Sequence, residues 1–128
     1  MNVLDENVPE SQRALLHRKR IAIRQIGLDL GRKGMKDDEL IPLLHQLDRP
    51  TFFTLDGDFY DRRLRHARYC LGHLDVEEDT VAEYVRRLLR HREFKSKARR
   101  MGCVVRVSST GLALWRIHRQ REDHRSWQ

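Results

Sequence analysis

Asp5, Asp37, Asp38, Asp56 and Asp58 fall where the chain turns from a strand toward a helix. The clearest case is Thr54-Leu55-Asp56-Gly57-Asp58-Phe59, directly after the apolar pair Phe52-Phe53. Asp5 follows Val3-Leu4 in the same way. Carboxylates just past strand ends offer oxygen ligands, which suit a hard divalent cation such as Mg²⁺ or Mn²⁺, and such ions handle phosphates. Four converging acids repel one another, so without a cation they cost stability or shift their pKa values. Two-metal phosphoryl chemistry needs several carboxylates to hold its ions. The bland readings are equally concrete. Asp37 or Asp38 suits a helix N-cap, and Asp56-Gly57-Asp58 has the composition of a turn.

The elements that must position these acids follow from the apolar pattern. Residues 2–4 read as a buried strand, and Pro9-Glu10-Ser11 opens a helix. Residues 21–26 read as a second strand, followed by a glycine-rich loop from Gly27 to Gly34. A second helix is expected from about Asp38, with Leu40, Leu43, Leu44 and Leu47 on one stripe. Pro42 lacks an amide donor, so a late helix start accommodates it best. Thr51–Leu55 and residues 68–74 complete the strands of the first part. Thr80 and Glu83 form a candidate capping box. The helix after it buries Val81, Tyr84, Val85, Leu88 and Leu89, and runs into a basic end from Arg86 to Arg100. Residues 103–107 and 112–117 read as a hairpin, with Tyr84 and Trp115 in the core, and the polar tail from Arg119 as frayed. Strand, helix, strand, helix, strand predicts an α/β fold with a mainly parallel sheet. Ligands bind such sheets outside the carboxyl ends of the strands, where Asp5 and Asp56 fall.

A chain of 128 residues fits one domain, here 1–118 with a tail of 119–128. The net charge of +7 is unevenly spread. Residues 1–59 carry 9 Lys/Arg and 10 Asp/Glu, a net of −1, while residues 60–128 carry 17 and 9, a net of +8. That asymmetry fits a polyanion or an acidic protein as partner, although a basic run is also what a solvated surface looks like. Arg86, Arg90 and Lys97 are the residues expected to hold nucleic acid. No apolar run approaches the roughly 18 residues that span a bilayer. No signal-peptide pattern is evident, so a cytoplasmic location is expected. Cys70 and Cys103 read as buried thiols. The histidines show no HxxxH or HExxH spacing, which argues against zinc. Gly31-Arg32-Lys33-Gly34 is too short for a Walker-type phosphate loop.

Three blocks resemble the small PIN-like proteins of bacterial toxin–antitoxin type. Val3-Leu4-Asp5-Glu6-Asn7-Val8-Pro9 is similar to that group's "LLDENLP" opening. Gly34-Met35-Lys36-Asp37-Asp38-Glu39-Leu40 is similar to its "G-x-x-D-x-E-I/L" block. Thr54 to Phe59 matches "TLDxDF". They come in order over roughly the first 60 residues. The resemblance implies a PIN-like three-layer α/β/α fold, to which the residues add the C-terminal hairpin. It also implies a Mg²⁺- or Mn²⁺-dependent endoribonuclease acting on RNA and paired with an antitoxin. A homodimer is a further expected state. Carried over by position, Asp5, Asp37, Asp56 and Asp58 are the metal-binding and catalytic acids, with Asp38 and Glu39 as reserves. A non-catalytic module of the same fold, binding nucleic acid or a protein, is the second reading. A metal-dependent phosphatase is the third.

Overall fold

A computed structural model describes residues 1–127. Seven strands form one sheet in the order β2-β1-β3-β4-β5-β6-β7. They are β1 (Asn2–Leu4), β2 (Arg24–Gln25), β3 (Thr51–Thr54), β4 (Cys70–Leu74), β5 (Cys103–Ser108), β6 (Gly111–Arg116) and β7 (Asp123–Arg125). The first five pair in parallel, and β5, β6 and β7 pair antiparallel. The helices are α1 (Glu10–Arg18), α2 (Asp37–Gln46), α3 (Val81–Arg90) and the single turn α4 (Lys97–Arg100). The expected α/β class with a mostly parallel sheet is therefore what the chain adopts.

Side-chain alternation along the strands builds two cores. Leu4, Phe53, Val105 and Leu114 pack with Leu16 of α1 and with Val81, Val85 and Leu88 of α3. Val3, Phe52, Leu71 and Val104 point the other way, onto Leu40 and Leu44 of α2 and onto Phe59. Every residue of β3 is buried, as a central strand covered on both faces requires. Gly72 in β4 has a steric reason: a Cβ there would lie 3.1 Å from the Phe53 ring. No helix among the described residues is long and apolar enough to cross a membrane.

Several local expectations change. The second strand shortens to Arg24–Gln25, with an isolated bridge between Ile26 and Leu30. Helix α2 begins at Asp37, after Lys36 as N-cap, and keeps Pro42 inside. The Glu39 carboxylate accepts the Lys36 N–H at 3.2 Å, which closes the helix start. Of the expected tail 119–128, residue 128 lies outside the described residues, and the rest is not simply frayed, because Asp123–Arg125 form the edge strand. The Tyr60 hydroxyl donates to Glu122 at 2.5 Å, and the Arg125 guanidinium donates to Glu93 at 2.8 Å, tying this segment down.

The basic run from Arg86 to Arg100 is not one helix. α3 ends at Arg90, Phe94 is fully buried, and the Ser96 hydroxyl accepts the Arg99 N–H at 3.2 Å to start α4. Arg100 is itself buried, donating to Thr51 Oγ1 at 2.9 Å and to the Phe94 carbonyl at 2.8 Å.

The expected Thr80–Glu83 capping box does not form. The Thr80 hydroxyl donates instead to the Glu77 carbonyl at 2.7 Å. The N-terminus of α3 is capped from another helix: buried Gln12 of α1 accepts the Ala82 N–H at 3.0 Å. One buried amide thus couples two helices and satisfies a donor that α3 cannot satisfy internally. Gln12→Ala strands that N–H, so urea unfolding should show a loss of about 1–3 kcal/mol. An unchanged midpoint and slope would mean that the cap is dispensable.

Candidate functional site

The strand order reverses direction between β1 and β3. The chain leaves β1 toward β2 and leaves β3 toward β4, so the loops after these neighbours diverge and open a crevice. Asp5 follows β1 and Asp56 follows β3, at the two lips of that crevice. Asp37 is the first residue of α2, on the same face of the sheet. Asp56 is the N-cap of the 3₁₀ turn Gly57–Phe59, and its Oδ1 accepts the Asp58 N–H at 2.9 Å. The turn reading of Asp56-Gly57-Asp58 is therefore correct as far as it goes. It also aims two carboxylates into one place.

Asp37, Asp56 and Asp58 each bring a carboxylate oxygen within 4.8 Å of the others. Among the described residues, none of the three has an ion-pair partner, and the carboxylates of Asp37 and Asp58 accept no hydrogen bond. Asp38 is exposed and lies outside the group. Glu39 is drawn away by Arg32 and by the Lys36 N–H. Of the three acids opening α2, Asp37 alone joins Asp56 and Asp58.

Asp5 stands behind the trio rather than in it. It is 8% exposed. Its Oδ2 accepts the Thr54 hydroxyl at 2.7 Å, and its Oδ1 accepts the Glu6 N–H at 2.8 Å. Thr54 Oγ1 in turn accepts the Asp56 N–H at 3.0 Å. The threonine hydroxyl thus passes the position of the Asp5 carboxylate to the backbone that carries Asp56. Gln25 anchors the other side, its side-chain amide donating to the carbonyls of Asp5 at 3.1 Å and Val8 at 2.9 Å. Burial holds the Asp5 pKa above its ordinary value. The Thr54 and Glu6 hydrogen bonds oppose that, while Glu6 and Asp56 add repulsion.

His73 is part of this environment, and its lone position in the sequence carried no sign of it. It pairs with Thr54 across β3 and β4, and so points to the same face. A Cβ on Gly57 would lie 3.3 Å from His73 Cε1, so the imidazole is the floor under the Asp56–Asp58 turn. Its Nδ1 is buried without a hydrogen-bond partner among the described residues. Burial, the largest effect, holds its pKa below the ordinary value; Asp75 and Asp56 pull it up and Arg106 pushes it down.

The donor set fits a hard cation. Oxygens at about 2.0–2.6 Å from one ion stand at most about 4–5 Å apart, and one carboxylate oxygen from each of the trio lies within 4.8 Å of the others. Carboxylates alone, with no thiolate or imidazole among them, suit Mg²⁺, Mn²⁺ or Ca²⁺ over zinc or copper.

The basic residues do not form one surface. Arg86 and Arg90 line a groove with Trp127 on the α3 side, while the trio lies on the α2 side. Lys97 donates to Asp48 at 3.3 Å and is not part of that groove. Arg32, Lys33 and Lys36, all exposed, lie in the loop that runs into Asp37, with Arg32 paired to Glu39. Glu6 holds this loop by accepting the Gly34 N–H at 2.8 Å. Arg62 follows Asp58 closely in the chain, with its guanidinium 5.4 Å from the Trp115 ring centroid. Trp115 is half-buried and carries this cation, whereas Tyr84 is core as expected.

The sequence matches no protein-family profile, no curated protein and no solved structure. What defines the protein is the fold and this site: a mostly parallel α/β sheet with an acidic trio at its point of strand reversal.

Two outcomes follow. Gly57→Ala pushes a methyl against His73 and should cost about 1 kcal/mol in urea unfolding. The same change made in a His73→Ala background should cost clearly less, and strict additivity of the two would remove the floor contact. The second concerns pH. The Asp37 pKa is raised by burial first, and then by Asp56, Asp58, Asp5 and Asp38. A carboxylate with a raised folded pKa stabilises the fold below the unfolded value and loses that contribution as pH rises through the folded one. In EDTA, Asp37→Asn should therefore gain stability over the parent as pH rises from about 4 to 7. Solvent screening of an exposed group limits the gain to about 0.5 kcal/mol. A pH-independent difference would mean that the trio does not repel.

Proposed function

We propose that this protein is a divalent-metal-dependent endoribonuclease of PIN-like type. The observation that carries the reading is the trio Asp37, Asp56 and Asp58, without an ion-pair partner among the described residues, at the sheet crevice of an otherwise basic protein. Like charges brought this close without a protein cation are a poor way to build a turn, and a reasonable way to build a cation site. The resemblance of the three sequence blocks to PIN-like proteins supports the same reading, and so does the agreement between those blocks and the residues that line the crevice.

In this reading Asp37, Asp56 and Asp58 hold Mg²⁺ or Mn²⁺. Such an ion activates water for attack on a phosphodiester and stabilises the leaving oxygen. Asp5 is a positioning residue, acting through Thr54 on the backbone of Asp56. Thr54 and Gln25 keep the two lips in register. We assign Lys33 and Lys36, exposed in the loop that runs into Asp37, and Arg62, which follows Asp58 in the chain, to RNA phosphates; such contacts fix orientation and carry little sequence information. Arg86 and Arg90 line a groove on the other face of the sheet and Lys97 pairs with Asp48, so this reading does not route RNA through them. The role of toxin in a toxin–antitoxin pair rests on the resemblance.

Purified protein should cleave single-stranded RNA with Mg²⁺ or Mn²⁺ and stop in EDTA. Asp56→Asn keeps the turn-capping oxygen while removing charge. It should lower the rate by at least about a hundredfold, since transition-state contacts to metal-bound charge contribute several kcal/mol, and should change the urea midpoint little. Equal rates for parent and variant, in preparations free of contaminating nuclease, would make a non-catalytic binding module the better account.

A further inference from the structure

The net charge of residues 60–128 finds an outlet far from the acidic trio. Helix α3 and the segment after β7 enclose a groove of about 460 Å³, lined by Arg86, Arg87, Arg90, His91 and Trp127. We propose that this groove docks an acidic peptide in extended conformation, with carboxylates at alternate positions. The inference does not depend on the nuclease reading, because the groove lies on the opposite face of the sheet.

The charges at the groove are unequal in availability. The Arg87 guanidinium is occupied: it pairs with Glu83 at 3.1 Å and lies 5.0 Å from the Tyr84 ring and 5.7 Å from the Trp127 ring. Arg86 and Arg90 have no carboxylate partner among the described residues, and Arg90 is exposed. The nearby acids are committed elsewhere, Glu83 to Arg87, and Glu93 to Arg116 and Arg125. The groove therefore presents two free guanidinium forks. Guanidinium takes a carboxylate in a two-bond fork, a geometry that a lysine surface does not offer.

Spacing selects the shape of the partner. Arg86 and Arg90 are four residues apart on one helix, about 6 Å along its axis. Side chains at i and i+2 of an extended strand are about 6.6 Å apart on one face. An acid-x-acid segment in strand conformation thus meets both guanidinium groups in register. Trp127 supplies a fixed apolar wall. Its indole N–H donates to the Ser108 carbonyl at 2.7 Å, and its ring sits 6.0 Å from Tyr84 and 6.4 Å from His91. With Arg87, three groups already crowd that ring. It is a poor platform for a stacking base, which favours a peptide over single-stranded nucleic acid.

The test uses fluorescence polarisation on the full chain. The probes are a fluorescein-labelled twelve-residue peptide of alternating Glu and Thr, the same composition arranged as Glu-Glu-Thr-Thr blocks, and an oligouridylate of matching charge. The alternating peptide should bind more tightly than the blocked one. R86Q/R90Q should weaken it about fivefold, the sum of two exposed ion pairs. R99Q with K95Q, an equal charge loss outside the groove, should leave it unchanged. Circular dichroism checks that each variant is folded. The proposal is overturned if the parent fails to bind the alternating peptide, if R86Q/R90Q binds it as the parent does, or if K95Q/R99Q weakens it equally. It is also overturned if oligouridylate binding is what R86Q/R90Q abolishes, which would make the groove a nucleic-acid surface.

Discussion

Three carboxylates within 4.8 Å of one another, with no protein cation between them, is the constraint around which this crevice is arranged. Such a cluster opposes folding, and the surrounding structure restrains it. The restraints are short and local. Thr54 bridges the buried Asp5 carboxylate to the Asp56 N–H. Gln25 clamps the loop that carries Asp5. His73 forms the floor under Gly57. Gln25, Thr54 and His73 sit on β2, β3 and β4, and Asp5 directly follows β1, so the parallel sheet itself is the rigid element. Sites held on strands are more finely positioned than sites held on loops.

The two cores explain why the acids can sit there without disturbing the fold. Alternation sends Leu4 and Phe53 toward α1 and α3, and sends Val3 and Phe52 toward α2. Asp5 and Thr54 continue the second row by one step. They lie at the carboxyl ends of their strands, buried beneath the partly exposed Asp37, Asp56 and Asp58. The acidic and basic surfaces are thereby segregated: the trio on the α2 face, and the free guanidinium groups of Arg86 and Arg90 on the α3 face. One small domain then carries two chemically opposite surfaces without mutual neutralisation.

Much of the scaffold was legible from residue pattern. Short apolar runs ending in Asp or Gly marked β1 and β3, and Ser109-Thr110 between two apolar runs marked the hairpin of β5 and β6. Asp37, Asp56 and Asp58 were visible as acids after strands or at a helix start. Other features depend on contacts that local sequence does not encode. The basic run breaks at His91 with no Gly or Pro to announce it, because burying Phe94 and Arg100 requires a turn. Gln12 caps α3 from 70 residues away, so the local signal at Thr80 and Glu83 pointed to a cap that tertiary structure supplies otherwise. Asp5 looked equivalent to the other acids in sequence. Its burial and its bond to Thr54 give it a different place. His73 looked like one scattered histidine until strand register set it beside Thr54.

The central claim is that the trio is a cation site rather than an acidic turn. Anomalous diffraction from a crystal soaked in Mn²⁺ tests it directly. The account predicts a peak bounded by carboxylate oxygens of Asp37, Asp56 and Asp58 at about 2.0–2.6 Å, absent from an Asp56→Asn crystal soaked alongside. No peak at saturating Mn²⁺, with the three side chains turned to separate partners, would contradict it.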